Sequence, residues 1–200
     1  MVTAAIIDYR IGNIFSMNQA LTKAGFKTTV TADPHRIKAS DAVILPGVGN
    51  FSVAAHNLES LSTCILETIN EGVPLLGSCL GMQLLFEWSE EGEGDGLGLM
   101  KGGVVRFSGN LKTPHMGWNT IKVVKDCEVL EGLDGEYMYF VHSYYARPDD
   151  LEVTATLTDY GIEFVSMIAE GVVYGAQFHP EKSGPAGLML LENLLGLVKR

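Results

Sequence analysis

Pro74-Leu-Leu-Gly-Ser-Cys79-Leu-Gly-Met-Gln83 is the stretch on which the fold turns. Its first half, Pro74–Ser78, reads as a buried strand, and helical content follows over Leu80–Trp88, so strand meets helix at Cys79 with almost no turn between them. Gly77 and Gly81 stand two positions either side of the cysteine, where side chains would collide in so sharp a bend. This is the pattern of a nucleophile elbow. It lifts one side chain to the head of a helix, beside backbone N–H groups able to hold an oxyanion, and a thiol there is set to react as thiolate. A buried structural cysteine is the ordinary alternative, and the surroundings must choose between the two.

On the amino-terminal side, strand and helix alternate. Val2–Ile7 is an apolar run, and Asn13 is placed to cap a helix through Phe15, Met17, Leu21 and Ala24 that Gly25 stops. Lys27–Thr31 is a short β-branched run, and Ala42–Leu45 is a buried strand ending at Pro46-Gly47. A helix spans Phe51–Asn70, with Ser60 as its weak point and Gly72 closing it. Such alternation predicts a mostly parallel α/β sheet with helices on both faces and a ligand crevice beyond the carboxyl ends of the strands.

On the carboxyl side, Glu90–Gly98 mixes acid and glycine as an exposed loop does. Strands are then expected at Gly103–Phe107, Thr120–Val124, Tyr137–Val141, Val153–Thr158, Glu163–Ala169 and Val172–Gln177, the last two joined by a tight turn at Glu170-Gly171. A final helix, Ala186–Val198, aligns Leu188, Leu191, Leu194 and Leu195 and ends in Lys199-Arg200, where positive charge suits the dipole. With no internal repeat, residues 1–200 are expected to form one domain.

Composition narrows the class of protein. Fourteen Lys+Arg against 24 Asp+Glu leave a net charge of −10, which argues against a nucleic-acid clamp. With 46% apolar and 19% charged residues the chain can bury a sizeable core. The Val2–Ile7 run is far shorter than the roughly 20 residues of a membrane span. Three cysteines, Cys64, Cys79 and Cys127, cannot all pair and match no zinc pattern, so no metal site and a reducing, cytoplasmic setting are expected.

The surroundings of Cys79 supply a base. One hundred residues on, at the end of a predicted strand, stands Gln177-Phe178-His179-Pro180-Glu181-Lys182-Ser183. Proline favours extended geometry at His179, in which Glu181 shares its face and can orient the ring. A cysteine nucleophile needs such a base, and the base needs a third residue fixing its tautomer. Leu45-Pro46-Gly47-Val48-Gly49-Asn50-Phe51 adds a glycine turn after a buried strand. The backbone N–H of Leu80, with that of Val48 or Gly49, is therefore expected to form the oxyanion hole.

These segments resemble a known family. Pro46-Gly-Val-Gly49, Gly77-Ser-Cys-Leu-Gly-Met-Gln83 and Phe178-His-Pro-Glu181 are similar to the oxyanion strand, nucleophile elbow and His-Glu pair of class I glutamine amidotransferases. Pro114-His-Met-Gly-Trp-Asn119 and Tyr139-Phe-Val-His-Ser-Tyr-Tyr145 further resemble the glutaminase subunits of imidazole glycerol phosphate synthases. The resemblance implies a flavodoxin-like three-layer fold and hydrolysis of glutamine through a Cys79 thioester, with His179 and Glu181 completing a triad. It also implies that Gln83, Ser143 and Tyr144 hold the substrate. No metal or organic cofactor is implied. The partner would be a (β/α)₈-barrel cyclase, forming a heterodimer through Asn13, Trp118, Tyr139 and Lys182. Ser78 departs from the pattern, where the family more often has an aliphatic residue. Rival readings are another amidotransferase of the superfamily, a cysteine hydrolase, or a non-catalytic module. His35 and His56 read as exposed, Cys64 as core and Cys127 as near a loop, while His115 and His142 fit either loop-holding or site roles.

Overall fold

The structure, a computed structural model, describes residues 1–199. Its elements run β1 (Thr3–Ile7), α1 (Ile14–Ala24), β2 (Lys27–Thr31), α2 (Pro34–Lys38), β3 (Ala42–Leu45), α3 (Phe51–Asn70), β4 (Leu75–Ser78) and α4 (Leu80–Gln83). There follow β5 (Trp88–Ser89), β6 (Gly102–Arg106), β7 (His115–Thr120), β8 (Lys122–Val123), β9 (Tyr137–His142), β10 (Tyr144–Pro148), β11 (Thr154–Asp159), β12 (Glu163–Glu170), β13 (Val173–Ala176) and α5 (Gly184–Val198).

One large mixed sheet carries the order β2-β1-β3-β4-β13-β12-β10-β6-β5, with β11 attached at β12 and β8 at β11, and β7 and β9 pair separately. The first five strands in that order are mutually parallel, and β12 then runs antiparallel to β13. Both faces are covered, as the alternation along β1 requires. Ala4 and Ile6 pack with Met17 and Leu21 of α1 and Leu191 and Leu194 of α5, while Ala5 and Ile7 pack with Phe51, Leu58 and Ile65 of α3. Local chemistry sets the helix ends: Asn13 accepts from the Ser16 N–H at the start of α1, and Gly25, at φ 105°, stops it.

The elements differ from expectation in several places. Helix α4 is one turn rather than a run to Trp88: Leu84, Leu85 and Phe86 are buried all round, and their carbonyls take N–H groups from Leu97, Met100 and Gly98. Helix α3 is unbroken at Ser60. The strand expected at Thr120–Val124 divides at Ile121, whose N–H bonds Glu136, so β7 pairs with β9 and β8 with β11. Helix α2 is an addition to the expected elements, opened by Asp33 as cap and Pro34 at N1. Lys199 caps α5, and Arg200 lies outside the described residues. Among those residues no helix is long and apolar enough to cross a membrane.

Candidate active site

Strand β4 lies between β3 and β13 with all three parallel, and Ala176 is in register with Ser78. The chain therefore leaves β4 and β13 at the same end of the sheet, Cys79 from one and the segment leading to His179 from the other. Cys79 takes φ 53° and ψ −107°, a conformation that costs a non-glycine residue about 1–3 kcal/mol and marks a site where surroundings dictate the backbone. Its N–H donates to the Ala176 carbonyl at 2.7 Å, and its own carbonyl accepts from Gln83 at 3.1 Å. The glycines are needed for contact, as expected. A Cβ on Gly77 would lie 2.5 Å from the Gly81 carbonyl oxygen, and one on Gly81 would land on the Leu45 carbonyl.

His179 leaves β13 in extended geometry and is 1% exposed. Its Nδ1 meets Glu181 Oε1 at 2.8 Å. Glu181 does not reach it along a strand, however, because Pro180–Lys182 forms a 3₁₀ turn that folds the carboxylate under the ring. Three contacts fix the segment. The His179 N–H donates to the Tyr139 carbonyl, the Ser183 hydroxyl donates to the His179 carbonyl, and the Tyr139 N–H donates to that same hydroxyl. The other ring nitrogen, Nε2, is buried without a hydrogen-bond partner, and the nearby Cys79 favours the charged form of the ring.

Burial alone would lower the His179 pKa, but interactions with Cys79 and Glu181 outweigh it and raise the value to about 9. A raised pKa means that the folded state holds this proton more tightly than the unfolded chain. The stabilisation, roughly 3 kcal/mol, is complete below the unfolded value near 6.5 and lost as pH rises through about 9. Thermal scans between pH 6 and 10 are expected to show falling stability in the native chain and a flatter profile in Glu181→Gln. Parallel profiles for the two proteins would contradict the assignment.

Two residues of the site, one beside the thiol and one beside the imidazole, carry no role in the sequence reading. Gln177, fully buried, directs Nε2 at the Cys79 sulfur at 3.7 Å and accepts from Gln83 Nε2 at 3.1 Å. Ser183 is the clamp just described. Gln177 is a polar residue between the apolar Ala176 and Phe178, whereas Ser183 stands between Lys182 and Gly184, and neither setting names the partner. Ser78, the departure from the family pattern, is fully buried and directs its hydroxyl at the Phe178 carbonyl, 3.4 Å away.

The remaining candidates fall into three groups. Pro46-Gly47 stacks on the elbow, since a Cβ on Gly47 would lie 2.6 Å from Gly81 N, and the Tyr9 hydroxyl donates to the Pro46 carbonyl. Val48 and Gly49 follow as an exposed turn, Gly49 at φ 131°, while Leu80 N begins α4. Gln83 Nε2 also donates to the Tyr144 carbonyl at 3.1 Å, bringing Gln83 to the Ser143–Tyr144 backbone. On the surface, Trp118 packs edge-on against Tyr139 with Lys182 over the Tyr139 ring, and Trp118 is 55% exposed. Asn13 is spent on capping α1, which packs against the Pro180–Lys182 turn. His35 and His56 are exposed and Cys64 is buried. No group of His, Cys, Asp and Glu among the described residues is arranged to hold a metal ion.

Known proteins resemble this chain over nearly its whole length. The family model "Glutamine amidotransferase class-I" matches residues 5–196. An imidazole glycerol phosphate synthase subunit HisH from Pyrococcus furiosus is 50% identical over 192 residues, covering 94% of this chain and 96% of the relative. The HisH subunit from Methanocaldococcus jannaschii is 47% identical over 195 residues, covering 96% and 98%. Among solved structures, PurLQS from Thermotoga maritima matches with a TM-score of 0.79 at 19% identity over 98% of both chains, a likeness of fold alone. Taken with the glycine-flanked cysteine and the His-Pro-Glu turn, these matches place the chain in the class I glutamine amidotransferase family, among the HisH subunits of imidazole glycerol phosphate synthase.

Proposed function

We propose that Cys79, His179 and Glu181 are the catalytic triad of the glutamine amidotransferase activity that family membership gives this chain. The observation that carries this reading is the placement of Cys79 and His179 at matching ends of adjacent parallel strands, with Glu181 holding the outer ring nitrogen at 2.8 Å. The sulfur attacks the side-chain amide carbon of glutamine, and the resulting oxyanion is held by the N–H groups of Leu80 and the Val48–Gly49 turn. The His179 imidazolium, favoured by its raised pKa, gives its proton to departing ammonia. Water then attacks the γ-glutamyl thioester with His179 as base, releasing glutamate and restoring the thiol. Gln83 and the Ser143–Tyr144 backbone cradle the substrate.

Ammonia freed into water is protonated and loses its lone pair, so it must pass directly to a second site. We infer that a (β/α)₈-barrel cyclase docks beside the triad over Asn13, Trp118, Tyr139 and Lys182 as a heterodimer. Ammonia would there meet a ribulosyl-containing aminoimidazole carboxamide nucleotide, yielding imidazole glycerol phosphate and aminoimidazole carboxamide ribotide. Cys79 is only 6% exposed, which fits a site that opens when partner and nucleotide bind. Glutaminase assays are expected to show weak activity for the chain alone and a strong rise with cyclase and nucleotide. Equal turnover in both conditions would refute the coupling. Trp118→Ala should weaken cyclase binding about 30-fold while leaving the melting temperature unchanged, because the indole is half-exposed.

A further inference from the structure

His115 and His142 lie outside the triad, yet they are 3% and 5% exposed and face each other across the two-stranded sheet, directly paired in the β7–β9 register. Their surroundings are aromatic. His115 stacks between Phe140 and Tyr160, and His142 lies against Phe107, Phe140 and Phe164. Charged imidazolium is costly there, and the pair is held neutral. Burial drives the His142 pKa down to about 3 and that of His115 to about 4.

In a neutral pair the hydrogen bonds run one way. His142 Nδ1 is 2.8 Å from the Tyr144 carbonyl, which can only accept, so Nδ1 carries the hydrogen and Nε2 is an acceptor. His115 Nδ1, 3.1 Å from that Nε2, must then donate, leaving its own Nε2 to accept. Asn119 Nδ2 faces it at 3.5 Å. The amide orientation of Asn119 is settled independently, since Oδ1 accepts from the Thr120 N–H and Nδ2 donates to the Asp159 carbonyl. The direction is thus Asn119 to His115 to His142 to the Tyr144 carbonyl.

The far end of this chain matters for position. β9 belongs to the small sheet and β10 to the large one, and the backbone crosses between them at Ser143. The His142 ring closes that crossover by reaching forward two residues, while Gln83 reaches the same carbonyl from α4. We propose that His115 and His142 are positioning residues, a one-directional relay that ties the Ser143–Tyr144 crossover to β7, the strand that carries Trp118. The proposal rests on reading that crossover as the cradle for glutamine. It assigns the two histidines no contact with the reacting atoms.

Two measurements test it. Long-range ¹H–¹⁵N spectra of the labelled full chain at neutral pH should show both rings neutral with hydrogen on Nδ1; an imidazolium, or hydrogen on Nε2 at either ring, overturns the relay. In the complex with cyclase, His142→Phe should raise the KM for glutamine about tenfold, with kcat changed less than about threefold. His142→Asn, whose amide nitrogen can replace the Nδ1–H donor, should recover most of that loss. An unchanged KM, or Asn no better than Phe, overturns the positioning role. Should His142→Phe fail to fold, Asn119→Ala removes the first donor from a partly exposed position and should raise KM about threefold. If the native complex hydrolyses no glutamine, the proposed function fails, and the tautomers alone decide the relay.

Discussion

Cys79→Ala is expected to cut glutamine hydrolysis by about 10⁴-fold or more, because no other group in the site can form the thioester. The fold should survive the change. Alanine fits the backbone at φ 53° no worse than cysteine does, and the hydrogen-bond partners stranded are Gln177 Nε2, 3.7 Å from the lost sulfur, and the Val141 carbonyl, 4.0 Å from it. Binding of the cyclase should therefore be unaltered. A glutamine-mimicking electrophile should label Cys79 alone. Cys64 is buried with its sulfur against the Pro34 carbonyl, and burial pushes the Cys127 thiol up, away from thiolate. Persistent hydrolysis in the variant, or label on another cysteine, would refute the nucleophile.

Gly81→Ala should unfold the site rather than disarm it. The added methyl would land on the Leu45 carbonyl oxygen, which belongs to β3 in the middle of the sheet, so no flexible side chain is available to yield. A loss of about 4 kcal/mol or more is expected, or a fall of about 10 °C or more in Tm for a chain of this length. Gly196→Ala serves as the control. Nothing lies within 4 Å of its Cβ position in helix α5, and alanine there should be neutral or stabilising by up to about 1 kcal/mol. Equal melting temperatures for the two variants would show that β3 can move aside, and that the glycine is not required by contact.

What could be read from the sequence was what acts over short spans. Gly77, Cys79 and Gly81 state their geometry within five residues, and Asn13 and Gly25 mark both ends of α1 by local hydrogen bonding. The helix expected through Trp88 failed because Leu84-Leu85-Phe86 is apolar without polar spacing, a run that periodicity cannot assign. Glu181 was placed against His179 for a reason the structure replaces, a 3₁₀ turn standing where extended backbone was expected. Gln177, Ser183 and the His115–His142 pair act through partners 98, 44 and 27 residues away, and no local pattern announces such contacts. Strand β10 was missed likewise, since its pairing with β6 and β12 arises from sheet topology.

The insertion of β13 between β4 and β12 has a consequence for biosynthesis. While a ribosome is still making the first hundred residues, the elbow strand can already pair with β3, but the neighbour that delivers the imidazole has not yet been translated. A nascent or prematurely terminated polypeptide therefore carries an unarmed sulfur. Glutamine in the surrounding fluid is spared until β13 emerges and enters its slot.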